Sequence, residues 1–203
     1  HLLFLSTALP GFPFSQSYRP DKVELSFTPP MQKSLPALLL SSVFLLSGCS
    51  LLGKYSEVEF NNLVVEEVNS TSLAIEATTS LYDETLPDVV TETDVIEIST
   101  MEASYEDAVD SLEKTADLLL LEARNLEQQN AVRTELETYR SAARIYLDSY
   151  AAMLSYYSEG TYKEDISQVK PLDETMHTNY TTFIEANNDL VDSLESYVKP
   201  TEE

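Results

Sequence analysis

Between Ser56 and Tyr197 the chain has one glycine, Gly160, and two prolines, Pro87 and Pro171. Apolar residues return there every three or four positions, and with so few breakers such a stretch is constrained to long amphipathic helices. The first is expected from Ser56, with Phe60, Leu63, Val64, Val68, Ile75 and Leu81 on its apolar side. Asn69-Ser70-Thr71-Ser72 weakens it without breaking it, and Leu86-Pro87 ends it. A second runs from about Asp88 to Arg124, its stripe formed by Val95, Ile98, Met101, Tyr105, Ala108, Leu112, Ala116 and Leu119. Thr91-Glu92-Thr93-Asp94 offers it caps and first-turn acids, although Val89-Val90 and Val95-Ile96-Glu97-Ile98 also fit a short strand.

The polar piece Asn125 to Asn130 is expected as a turn, with one continuous bent helix as the alternative. The third helix, about Ala131 to Tyr157, carries Val132, Leu136, Tyr139, Ala143, Tyr146, Leu147, Tyr150, Met153, Leu154 and Tyr157 on one face. Gly160 stands where a left-handed C-terminal cap is needed. Pro171 is expected to open the fourth helix, with Asp173 and Glu174 in its first turn and Pro200 as its stop. Its stripe is Leu172, Met176, Tyr180, Phe183, Asn187, Leu190, Leu194 and Tyr197 or Val198. Each helix has a polar back, so the fold class is all-α, an antiparallel four-helix bundle ~40 Å long at 1.5 Å rise per residue. The last two helices should close as a hairpin through Ser158 to Lys170, bringing Tyr150 and Met153 near Tyr180 and Met176.

Upstream, the apolar run Leu35 to Leu46 has the length of a signal-peptide core and is too short to span a bilayer as a mature helix. Met31-Gln32-Lys33-Ser34 before it supplies a short positive flank, and Leu46-Ser47-Gly48-Cys49 closes it with the only cysteine in the chain. In these residues the sequence resembles bacterial lipoprotein precursors, whose lipobox is an aliphatic residue, a small residue, Gly or Ala, then Cys. The resemblance implies that the signal peptidase recognises Leu46, Ser47 and Gly48, that diacylglyceryl is transferred to the Cys49 sulfur, and that cleavage falls between Gly48 and Cys49. Acyl chains bury about 0.8 kcal/mol per methylene in lipid, so two or three of them hold a protein without a transmembrane helix. The expected organisation is an upstream leader over 1–30, a signal peptide over 31–48, a lipidated tether over 49–55, a bundle over 56–199 and a tail over 200–203. The leader, rich in proline and without period, is read as sequence ahead of a start at Met31.

The formal net charge is −23, and of the 35 acidic residues only Asp21 and Glu24 precede Cys49. Such a surface repels nucleic acid and anionic headgroups, so the expected link to the membrane is the acyl chain and not adsorption of the bundle. With Cys49 lipidated no disulfide forms, and stability rests on packing.

Few constellations suggest chemistry. Glu174-Thr175-Met176-His177 has the Glu-x-x-His step of carboxylate-bridged di-metal bundles, but the second such step is missing and the other histidine is His1. A solvated or rim histidine is the expectation, with no metal and no cofactor. Tyr139, Tyr146, Tyr150, Tyr156, Tyr157 and Tyr162 crowd one end of the third helix and face Tyr180 and Tyr197 across the hairpin. Tyr150, Tyr157, Tyr162 and Tyr180 are the candidate ligand-binding residues if that end receives a small molecule or glycan. The competing reading buries the rings and lets the hydroxyls reach water. The acidic run around Asp83-Glu84 and Asp88 lacks the order of a calcium loop, and there is no phosphate loop, nucleophile elbow or basic groove. No catalytic residue is singled out and an enzyme is not expected.

The chain is similar in outline to helical-bundle lipoproteins of bacteria. That likeness implies an acidic interaction or structural module, with an envelope protein or glycan as partner and a lipid anchor in the cell membrane or outer membrane on the exported side. Ser50, after the lipidated cysteine, would permit transfer to the outer membrane where there are two.

Overall fold

The computed structural model describes residues 23–24, 54–87 and 89–197, with backbone alone at 23, 24 and 89. Four helices dominate: α1 (Glu57–Thr85), α2 (Ser99–Leu118), α3 (Leu126–Ser158) and α4 (Val169–Glu195). Two strands of two residues, β1 (Val23–Glu24) and β2 (Val89–Val90), pair antiparallel beside the α1–α2 connection. The fold is an all-α four-helix bundle.

α1 starts at a capping box. Ser56 Oγ accepts from the Glu59 amide while Glu59 Oε2 accepts from the Ser56 amide, so two otherwise orphaned donors are satisfied reciprocally. It stops at Thr85, two residues before Pro87.

The second helix is shorter than its sequence suggests. Val89–Val90 is strand, and the expected caps Thr91 to Asp94 instead close a turn in which the Thr91 amide donates to Asp94 Oδ2 at 2.6 Å. α2 therefore begins at Ser99 and not Asp88, and Val95, expected on its stripe, is 89% exposed. Its far end is also early, at Leu118, because the next residues are drawn away to pair with the segment before α1. The Tyr55 amide donates to the Glu122 carbonyl and the Arg124 amide to the Tyr55 carbonyl, both at 2.8 Å.

α3 starts at Leu126, five residues before Ala131, because the Asn125 side chain accepts from the Glu127 and Gln128 amides and caps it. The turn thus lies just before the polar piece expected to form it, and α2 and α3 are separate helices. Gly160 takes the left-handed conformation after α3, φ 71°, as its position demands. α4 starts at Val169, which puts Pro171 third in the first turn, where its missing N–H is still no loss.

Hydrogen bonds between helices fix the directions. Thr78 Oγ1 donates to the Ser104 carbonyl and Thr71 Oγ1 to the Ser111 carbonyl, so α1 and α2 are antiparallel and close enough for side chain to meet backbone. Tyr139 and Tyr146 rings pack on Phe183 and Tyr180 at 5.4 and 5.2 Å, making α3 and α4 the expected antiparallel hairpin. Tyr180 meets Tyr146, one turn further from the loop than Tyr150, where it was expected; Met153 and Met176 are both fully buried. α1 packs mainly on α2 and α3 mainly on α4, so α1 and α3 stand diagonally across the core and run parallel.

The core repeats in heptads. Asn61, Val64, Val68, Thr71, Ile75, Thr78 and Tyr82 line α1, and all are buried; Leu63, expected there, is 36% exposed. On α4 the buried positions are Val169, Asp173, Met176, Phe183, Ala186, Leu190 and Leu194. Among the described residues no helix is long and apolar enough to cross a membrane.

Candidate functional site

Three hydroxyls of the tyrosine-rich helix, those of Tyr139, Tyr146 and Tyr150, do not reach water as the competing reading had it but cross the bundle diagonally to α1, whereas Tyr156 donates to the Asp165 carbonyl in the loop beyond α3. Tyr146 shares a 2.7 Å hydrogen bond with Thr79, whose own hydroxyl donates to the Ile75 carbonyl. Tyr139 shares one with Ser72 at 2.9 Å, and Tyr150 donates to the Thr78 carbonyl at 3.1 Å. Burial pushes all three phenols far above their usual range.

This arrangement ends in a polar cluster at the end of the bundle where α1 finishes and α4 begins. Tyr82 and Asp83 stand in the last turn of α1, and Asp173 and His177, one helical turn apart, stand on α4. The Tyr82 hydroxyl donates to Asp173 Oδ1 at 2.9 Å, and His177 Nε2 lies 3.1 Å from the same oxygen. The Tyr82 ring meets His177 edge-on at 6.4 Å and Tyr150 edge-on at 6.1 Å, and with Asp173 only 5% exposed the shared carboxylate is almost out of water.

Burial raises the Asp83 carboxyl to about 6, with Asp173 and Glu84 adding to the rise and His177 opposing it. Burial alone would lower His177, but the hydrogen bond to Asp173 and the charges of Asp173 and Asp83 outweigh it and lift the imidazole above its ordinary value. Two helices thus set one imidazole among two carboxyl groups, Asp173 and Asp83. Asp83 Oδ1 and the Tyr157 hydroxyl are buried without a hydrogen-bond partner among the described residues.

Comparison with protein-family models, with curated proteins and with solved structures finds no match. The residues themselves therefore carry the functional argument.

Of the candidate ligand-binding tyrosines, Tyr150, Tyr157 and Tyr162 are buried and Tyr180 is half-buried. The structure joins Tyr157 to Tyr162, ring to ring at 5.4 Å, and sets both apart from Tyr180, which stacks deeper against Tyr146. The Tyr162 hydroxyl donates to the Asp94 carbonyl, tying the loop after α3 to the segment before α2.

The Glu-x-x-His step does not act as a pair. Glu174 faces outward to Lys170 at 3.6 Å, whereas His177 turns in to Asp173; its side chain, 16% exposed at the end of the bundle, is a rim histidine and not a freely solvated one. Among the described residues no group of three or more His, Cys, Asp or Glu side chains is placed to hold a metal ion. Asp173 was the residue sequence reasoning missed. Counting back from Leu194 through Asn187 and Tyr180 in heptad steps lands on it, a core position where an acid needs a partner. Cys49 and the peptidase residues Leu46, Ser47 and Gly48 lie outside the described residues.

Proposed function

We propose that the chain is a lipid-anchored structural or interaction module of the bacterial cell envelope, carried on the exported side of the cell membrane or outer membrane by acyl chains on Cys49. It is not read as an enzyme. The observation that carries the module reading is the diagonal set of tyrosine hydroxyls bonded to α1, because it fills the bundle interior with side chains that satisfy one another. The anchor rests on Leu46-Ser47-Gly48-Cys49 and on the apolar run before it. Val23–Glu24, which pairs with β2, lies upstream of both the start read at Met31 and the proposed cleavage point, so that ladder is not part of the proposed mature protein.

Metabolic labelling with palmitate tests the anchor. Label should enter the parent protein and be lost in Cys49→Ser; label retained in the serine variant contradicts it.

A second reading, a lipoprotein receiving a small molecule or glycan at its tyrosine-rich end, has one feature in its favour. The Tyr157 hydroxyl and an Asp83 oxygen are each buried without a hydrogen-bond partner among the described residues, and a small polar ligand supplies what such an atom lacks. Binding of a glycan to the parent and not to Tyr157→Phe would move the balance to this reading.

A further inference from the structure

We propose that the bundle docks end-on against the bilayer, pressing Leu120, Leu126 and Val58 into the headgroup boundary beside the acylated cysteine. This rests on the anchor at Cys49 and adds a second, separate contact with the same membrane.

Of the seven large apolar side chains that are exposed among the described residues, Leu63, Leu73, Val95 and Ile145 lie elsewhere and three share one end. Leu120 is 78% exposed, and Leu126 and Val58 are each 58% exposed. All three belong to one end of the bundle. Val58 is in the first turn of α1, and Leu120 and Leu126 bracket the connection from α2 to α3. Hydrogen bonds knit these places together: Tyr55 is paired on both sides with Glu122 and Arg124, and Asn125 Nδ2 donates to Glu57 Oε1 at 2.8 Å. Deeper in, Gln128 Nε2 donates to Asn61 Oδ1 at 2.6 Å and Asn61 Nδ2 to the Leu194 carbonyl at 2.9 Å, so α1, α3 and α4 hold this end rigid.

The same end is where the anchor must be. Only Ser50-Leu51-Leu52-Gly53-Lys54 separate Cys49 from the pinned Tyr55, and the six steps between those two residues reach at most about 22 Å fully extended. A bilayer surface within that reach is the one apolar environment certain to stand in front of these side chains once Cys49 is acylated. α3, 33 residues long, then stands away from the membrane and carries the Asp83, Asp173 and His177 end outward by about 50 Å.

The acylated full-length product, purified from host membranes, is reconstituted into phosphatidylcholine vesicles containing brominated phosphatidylcholine. Because the thioether uses the native sulfur, an introduced cysteine is the free thiol for a bimane label. Labels on Leu120→Cys and Leu126→Cys should be blue-shifted and lose most of their emission to bromine. Labels on Val95→Cys, at the opposite end, and Leu73→Cys, on the side of α1, should emit as in water; circular dichroism confirms that each variant is folded. Vesicle-bound protein with unquenched labels at 120 and 126 overturns the docking and leaves the anchor standing, and quenching at 73 overturns it in favour of side-on adsorption. A parent protein that fails to associate with the vesicles, as Cys49→Ser is expected to, removes the anchor and the docking together.

Discussion

The Tyr146 hydroxyl and Thr79 Oγ1 meet 2.7 Å apart across the diagonal of the bundle, and one heptad earlier on each helix Tyr139 and Ser72 repeat the arrangement at 2.9 Å. Gln128 and Asn61 continue it at the same offset in sequence toward the other end. A constant offset between two parallel helices is a register. These polar pairs fix how α1 and α3 slide past one another, a task that interchangeable apolar contacts perform poorly.

Tyr146→Phe keeps the ring and removes the hydroxyl. Thr79 remains bonded to the Ile75 carbonyl, so the loss is one net hydrogen bond, about 1 kcal/mol by urea denaturation. Tyr146→Ala also empties a fully buried site and should cost about 3–5 kcal/mol.

Asp83 and His177 give stability a pH dependence of definite sign. The folded carboxyl titrates at about 6 against an ordinary 3.8, so its ionisation costs nothing below about 4, and the penalty accumulates between about 4 and 6 and persists above. The folded imidazole lies above its ordinary 6.5; its contribution is complete below that value and is lost as pH rises through the raised one. Both effects make the protein more stable near pH 5.5 than near pH 8. Asp83→Asn removes the carboxyl penalty and should stabilise the fold at pH 7.5 by about 1 kcal/mol, after allowance for its partial exposure. Thermal melts across this range check the slope, and a variant less stable than the parent at pH 7.5 would show the carboxylate to be a net contributor.

Gly160→Ala tests backbone alone. A methyl group there meets nothing within 4 Å, yet φ of 71° lies in the left-handed region, so the substitution should cost about 1 kcal/mol without any clash.

Met153→Asp places a charge at a fully buried core position of α3 and should lower stability by more than about 3 kcal/mol. Glu159→Lys, on the exposed cap one residue beyond α3, should change it by less than about 0.5 kcal/mol. Equal melting of the two variants would contradict the α3–α4 hairpin as the stabilising unit.

The number of helices, the Pro87 stop and the Gly160 cap were legible because breakers act locally. α3 and most of α4 were legible because their heptads are filled with Leu, Tyr, Met and Phe. α1 was read less well: its core positions include Asn61, Thr71 and Thr78, which a search for apolar periodicity passes over although all are buried. The start of α2 was misplaced because Thr91 to Asp94 makes the same kind of side-chain bond in a turn as in a helix cap, and only pairing of Val89–Val90 with another strand decides between them. The polar cluster was illegible for a similar reason. Asp173 reads as a first-turn acid on its own helix, and its burial depends on Tyr82 arriving from α1.

The most direct test of the account is the intact mass of the protein extracted from membranes of a bacterial host. The prediction is a chain whose first residue is Cys49 and whose mass exceeds that of the polypeptide by a diacylglyceryl group, with or without a further amide-linked acyl chain. An unmodified mass, or a first residue other than Cys49, would contradict it.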